Sequence, residues 1–378
     1  MGTPDFNAEG LLDGIEGEDR KARLQLLEQL HDAGVPLEEL KQAVAEERLA
    51  LVPVELVLGA EGKYTAAEVA ERAGLDPEYL RRERLALGLP VPGDDAAVYT
   101  DEDVEAARRA ARFLEAGMNV EGSVDAARVI GEAMSRVAAT VRSLVGQSLA
   151  RPGDTERDLG LRYAEATRAT APLVGPMLEY VLHQHVREQL RTDVITRSEI
   201  ASGEVLPGSR DVAVCFADLV GFTRLGAEIP AEELGAVAGR LAELATETAT
   251  SPVRLVKTIG DAAMLVSPEP RPLLDAALGL VTAVESEGDD FPLVRAGVAS
   301  GSAISRGGDF YGHPVNLASR VTGIARPSSV LVSEDVHEAA PDDYQWSFAG
   351  EHRLKGIDGR VRLFRARHLP TDDEEATR

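Results

Sequence analysis

The sequence predicts an α+β chain in two parts, an all-α first half and a second half folded around one sheet. Three observations lead there. Through residues 1 to about 195 apolar side chains recur at three- and four-residue spacing, as in LQLLEQLHDAGV and EELKQAVAEERLALV, and strand signals are scarce. Downstream, β-like runs (DVAVCFA, VRLVKTIG, DAAMLVS, LVRAGVASG, SVLVS, VRLFRARH) alternate with helical runs (AEELGAVAGRLAELATETAT, RPLLDAALGLVTAVESEG, HPVNLASRVTGIA). Between the two lies SEIASGEVLPGSR, rich in Gly, Ser and Pro, which places a boundary near Ser198. At 378 residues the chain has length for two domains of roughly 150 to 200 residues.

Within the first half, Thr65 with Glu68 and Thr100 with Asp103 are spaced as helix-start capping boxes. Together the segments 65–117 resemble the DNA-binding head of MerR-type regulators. Carboxylates surround the basic residues Arg81, Arg82 and Arg84 there, so a packing or regulatory module is expected rather than a DNA reader. Further on, Leu173, Val174, Met177, Leu178, Val181 and Leu182 form an apolar strip, with Pro172 and Pro176 as expected interruptions of its helix. Such a strip is too apolar to lie in water, and a dimer core is its expected cover; a fatty-acid or lipid ligand is the second reading. The division that results is 1–195 helical, 196–210 linker, 211–366 the sheet domain, and 367–378 an acidic tail.

Composition excludes several classes. No apolar run reaches the roughly 20 residues of a membrane span, and the acidic start shows no targeting pattern, so a cytoplasmic chain is expected. A net charge of −24 opposes nucleic acid and anionic lipid alike, and no basic patch overrides it. Cys215, the single cysteine, sits in the apolar run VAVCFA and reads as a buried strand residue.

Chemistry concentrates in three places. Asp218 ends the first strand and leads into LVGFT, a Gly-containing turn before a helix; backbone N–H groups of Leu219, Val220, Gly221, Phe222 and Thr223 can cradle phosphate while the carboxylate holds a hard cation. A strand-end Asp before Gly is also ordinary turn chemistry. In VKTIGDAAMLV, Gly260 and Asp261 join two strand-like runs in a hairpin and put a second carboxylate on a tight turn. In GDFYGHPVNLASR, Asp309 precedes Asn316 and Arg320, whose spacing of four sets both on one helix face, able to address a sugar oxygen and a phosphoryl oxygen together.

In this order FADLVGFT, KTIGD and GDFYGHPVNLASR, with the closing LKGIDGRVRLF, resemble the nucleotidyl cyclase catalytic domain of the class III adenylate and guanylate cyclases over residues of about 205 to 366. The resemblance implies a ferredoxin-like palm, homodimers with active sites at the interface, and two Mg²⁺ or Mn²⁺ ions per site. It implies metal binding at Asp218 and Asp261, adenine recognition at Lys257 and Asp309, and ribose orientation and transition-state stabilisation at Asn316 and Arg320. Lys355 aligns with a possible phosphate contact or an ordinary surface lysine. Adenine donates at N6 and accepts at N1, a polarity that Asp309 and Lys257 match and guanine reverses. The expected function is therefore conversion of ATP to 3′,5′-cyclic AMP and pyrophosphate. A silent nucleotide-binding signalling protein and a MerR-like regulator are the alternatives; a diguanylate cyclase is disfavoured, since no GGDEF-like turn is present.

A helical half ahead of such a domain resembles the actinobacterial pH-responsive adenylate cyclases. That resemblance implies an autoinhibitory, dimerising N-terminal domain, with residues 179–210 as a switch. His183 and His185 near its start are either titrating groups or plain exposed helix residues.

Overall fold

In the computed structural model residues 4–59, 62–200 and 209–369 are described, and two units divide between Arg187 and Glu188. In the first unit helices α1 (Gly17–Asp32), α2 (Leu37–Ala45) and α3 (Val52–Leu58) enclose a core of Phe6, Leu26, Leu27, Leu30, Leu40 and Leu49. Helices α4 (Ala66–Ala73), α5 (Pro77–Ala86) and α6 (Asp101–Glu115) follow, and both capping boxes read from the sequence are formed, Thr65 with Glu68 and Thr100 with Asp103. Val69, Tyr99, Val104 and Ala107 pack a second small core, and Tyr79, Ala110 and Val124 a third that reaches α7 (Val120–Leu149).

Helix α8 runs from Glu156 to Ile200 through both Pro172 and Pro176. The expected interruptions are absent: each proline deletes one backbone bond, and a helix of 45 residues continues on the bonds either side. Ser198 lies inside this helix, and residues 201–208 of the expected linker lie outside the described residues. Leu173, Met177, Tyr180 and Leu182 are each at least 60% exposed in the single chain.

The second unit is α+β. Its first part runs β1 (Ser209–Leu219), a short helix α9 (Phe222–Leu225), α10 (Ala231–Thr248), β2 (Arg254–Ile259), β3 (Ala262–Ser267), α11 (Pro270–Glu285) and β4 (Val294–Arg306). Apart from α9 this is a βαββαβ unit with strand order β2-β3-β1-β4 and antiparallel neighbours throughout, the ferredoxin-like palm. Then follow β5 (Asp309–Tyr311), α12 (His313–Ile324), β6 (Ser329–Ser333), α13 (Glu334–Ala339), β7 (Gln345–His352) and β8 (Val361–Arg367). β6, β8 and β7 extend the sheet beyond β4, and β5 folds back on the end of β4.

Alternation along the strands gives the sheet two cores. Ala213, Cys215, Ala217 and Leu219 of β1 face Leu241 and Leu244 of α10 and Leu273, Leu274 and Leu280 of α11. Fully burying one such leucine contributes about 1.5–3 kcal/mol. Val212 and Val214, with Met264 of β3, face Leu317, Ala318 and Val321 of α12. Cys215 is fully buried, as expected, and burial pushes its thiol up to about 12, which leaves it inert. Among the described residues no helix is long and apolar enough to cross a membrane.

Candidate active site

Asp218 stands on the α12 face of the sheet, because it keeps the alternation of Val212, Val214 and Phe216. The hairpin between β2 and β3 is two residues, Gly260 and Asp261, with Gly260 at φ 59°, the left-handed value that a glycine adopts without strain. That turn is pinned to the end of β1: the Leu219 amide donates to the Asp261 carbonyl at 3.0 Å, and the Val220 amide donates to Leu293 at 2.7 Å. The two carboxylates read from the sequence thus meet. Burial raises the pKa of Asp261, and the negative charge of Asp218 raises it further, against the pull of Arg295.

Arg295 was not singled out from the sequence. It lies directly opposite Asp218 on β4. Its Nε and Nη2 donate to Asp218 Oδ2 at 3.0 and 2.7 Å, and its Nη1 donates to the Gly323 carbonyl at 3.2 Å, near the C-terminal end of α12. The signal was present as one charge inside the apolar strand LVRAGVASG, where an unpaired guanidinium would be costly. Two adjacent carboxylates of mutually unfavourable charge, all oxygen donors, suit a hard divalent cation. Among the described residues no third His, Cys, Asp or Glu joins them. This matches the way Mg²⁺ is held, by one or two carboxylates with the remaining positions left to water and substrate phosphate.

Lys257 and Asp309 are brought together as an ion pair, and the Phe310 amide donates to Asp309 Oδ1 at 2.9 Å. A bulge between Leu255 and Lys257 brings Lys257 into register with Met264, hence onto the α12 face. Asn316 and Arg320 share the outer face of α12 and are exposed, while Leu317, Ala318, Val321 and Thr322 bury against the sheet. They turn away from their own chain's Asp218 and Asp261. Of the turn after β1, the amides of Leu219 and Val220 are committed to Asp261 and Leu293, which leaves those of Gly221 and of the first-turn residues Phe222 and Thr223, donors that α9 cannot itself satisfy. Lys355 is exposed in the turn between β7 and β8, beside the buried Leu354.

Residues 205–366 match the family model of the adenylate and guanylate cyclase catalytic domain, and residues 4–190 match the adenylate cyclase regulatory domain. The chain is 46% identical over 374 residues to the pH-sensitive adenylate cyclase of Mycobacterium tuberculosis, covering 97% of this chain and 93% of the relative. The chain belongs to the class III adenylate cyclases. An adenylate cyclase of Streptomyces coelicolor is 35% identical over 289 residues, 76% of this cyclase and 74% of the relative. Among solved structures, the adenylyl cyclase CyaB of Pseudomonas aeruginosa superposes with a TM-score of 0.38 at 19% identity, covering 43% of this cyclase and 97% of that chain. The cyclase therefore carries a regulatory domain ahead of its catalytic one, in a family that uses divalent metal ions.

Proposed function

We propose that this cyclase converts ATP to 3′,5′-cyclic AMP and pyrophosphate at two sites, each shared by two copies of the chain. The ribose 3′-oxygen attacks the α-phosphorus, and the bond from that phosphorus to the bridging oxygen of pyrophosphate breaks. Asp309 accepts from the adenine amino group and Lys257 donates to its ring nitrogen. Asn316 orients the ribose. Arg320 meets the charge that develops on the α-phosphate, a role whose loss commonly lowers the rate on the order of a hundredfold to a thousandfold. The amides of Phe222 and Thr223, with Lys355, approach the triphosphate. Two Mg²⁺ or Mn²⁺ ions held by Asp218 and Asp261 would lower the pKa of the attacking hydroxyl and neutralise the triphosphate.

One observation carries the shared site: Asn316 and Arg320 occupy the outer face of α12, on the far side of that helix from the sheet that bears Asp218. A second chain placed against that face brings its own Asp218 and Asp261 to them. Asp218→Ala and Asn316→Ala are then each nearly inactive alone, and their mixture regains activity, because one of the two interfaces holds only intact residues. A mixture of folded, dimeric variants that stays inactive rejects the shared site.

Control by the first unit follows from the match to a regulatory domain and from the pH-sensitive relative. We assign residues 1–195 to regulation and dimerisation, 196–210 to the connection, and 211–366 to catalysis. The exposed strip from Leu173 to Leu182 is covered by a second copy in this reading, with a lipid as the competing occupant.

A further inference from the structure

Where α12 meets the sheet, one contact is far closer than the others. At Gly297 of β4 even a single added carbon would be driven into the Thr322 amide nitrogen, 2.6 Å from the Thr322 hydroxyl oxygen and 2.7 Å from the Ala318 carbonyl oxygen. The helix backbone thus rests directly on the strand backbone, and a side chain at 297 is excluded. Thr322 is 3% exposed at that point. Its Oγ1 lies 2.8 Å from the Ala318 carbonyl and 3.1 Å from the Phe216 carbonyl of β1. A threonine bonded to the carbonyl four residues back is common in helices. The one O–H proton is shared, and the second acceptor is not part of the helix: it belongs to a sheet strand 106 residues away.

The place of that contact matters. Register pairs Lys257 with Met264, Met264 with Phe216, and Phe216 with Gly297, so one row across four strands runs from the lysine to the glycine beneath Thr322. Lys257, at the start of this row, belongs to the pair proposed to read adenine. Asn316 and Arg320, on the helix that Thr322 holds to the other end, belong to the pair proposed to act at the ribose and α-phosphate. Arg295, two residues before Gly297, reinforces the same junction by donating to the Gly323 carbonyl.

We propose that Thr322 is a positioning residue: seated on Gly297 and bonded to Phe216, it fixes the span between Lys257–Asp309 and Asn316–Arg320, and so sets where the ribose stands once adenine is held. The proposal rests on the assignment of those two pairs given above, with both pairs of one site supplied by one copy and Asp218 and Asp261 by the other. With the hydroxyl removed, α12 keeps its seat on Gly297 and its apolar contacts through Leu317, Ala318 and Val321 but loses the bond to β1 that fixes its rotation over the row. Small displacements of this kind act on the reacting geometry, and a shift of about 1 Å far from the chemistry can cost about a hundredfold in rate.

The test uses the full-length enzyme with Mn²⁺ and ATP. Thr322→Val and Thr322→Ala each lower kcat about tenfold or more, leave KM within about twofold, and retain dimerisation, whereas Thr322→Ser, which keeps the hydroxyl, stays within about twofold of the parent in both constants. Asn316→Ala serves as the reference for the site. The proposal is overturned if Thr322→Val and Thr322→Ala turn over at the parent rate while Asn316→Ala is inactive. It is equally overturned if Thr322→Ser is as slow as Thr322→Val, or if lost activity only tracks a lowered melting temperature. Full activity of Asn316→Ala would instead remove the site assignment itself, and this inference with it.

Discussion

The two units of this cyclase differ in where they place charge beyond their surface ion pairs. In the helical unit, cations and carboxylates pair off on the surface: Arg82 donates twice to Glu121, Lys63 meets Asp101, and Arg84 lies 3.7 Å from Asp103. The arginines of the MerR-like segment are paired with carboxylates, as the sequence led one to expect. The catalytic unit has such surface pairs too, Arg240 with Glu243 and Glu287 among them, but it also gathers charged groups on one sheet face, Asp218 and Asp261 side by side with Arg295 and, in the next cluster, Lys257 with Asp309. Surface pairs of the first kind are worth about 1 kcal/mol or less and leave the fold to its small cores. Like charges held together are a cost to folding, retained where a ligand relieves it. Both units pair charges on their surfaces, and the catalytic unit adds a clustered set that suits an occupant.

The sharpest way to break this contrast is Asp261→Asn. If the carboxylates exist for the reaction and against the fold, activity with Mn²⁺ falls a hundredfold or more while the metal-free protein unfolds no more easily at neutral pH. The sign follows from the raised pKa. A carboxyl whose folded pKa lies above its unfolded value stabilises below the unfolded pKa and loses that stabilisation as pH rises through the folded one, so at neutral pH the charge on Asp261 is a burden that the amide removes. Calorimetry across pH beside a turnover assay checks both halves. A variant that is less stable at pH 7 and equal to the parent near pH 4 would mean that Asp261 is a structural residue.

This contrast also explains what was legible in the sequence. β1 to β4, β6 and β8 follow from runs with a buried face, and the Gly260–Asp261 hairpin from its glycine. β7 was missed because the alternation of Gln345, Trp346, Ser347 and Phe348 is brief and a bulge between Phe348 and Gly350 breaks it. β5 is three residues long and is defined only by its partner β4. Asp261 stands on a tight turn and Asp218 near the end of β1, and such positions leave local signals. Arg295 and Thr322 do not: one acts through a residue 77 positions away and the other through one 106 positions away, and nothing beside them in the chain marks those partners. Prolines 172 and 176 misled in the other direction, since a long helix tolerates losses that a short one would not.

Removing the first unit separates the two behaviours directly. If pH control resides in the helical half, residues 200–378 alone turn over ATP with much of the full chain's pH dependence between pH 5 and 8 lost. Superimposable profiles for the full chain and the fragment, both assayed as dimers, would place the titrating groups in the catalytic unit and end the division of labour.

The smallest expected effect concerns a carboxylate of the helical unit that lies beside a small core and not in a surface ion pair. Glu83 lies on α5 beside the core of Tyr79, Ala110 and Val124; the Tyr79 hydroxyl donates to its Oε1 at 3.3 Å. The neighbouring arginines are engaged elsewhere, Arg82 by Glu121 and Arg84 by the Pro90 carbonyl and Asp103. Burial raises its pKa, against the tyrosine bond. Here too the protonated form stabilises below the unfolded carboxyl value and its contribution is lost as pH rises through the folded value. Glu83→Gln keeps an acceptor for Tyr79 and cannot ionise. Its stability should equal that of the parent near pH 4 and exceed it at neutral pH, on the order of 1 kcal/mol or less, as befits a half-buried position. Because α5 packs on α7 here, hydrogen exchange in the first turns of α7 should slow in the variant at pH 7 and be unchanged at pH 4. Exchange that differs equally at both pH values would show that the amide acts by packing and not by its missing charge.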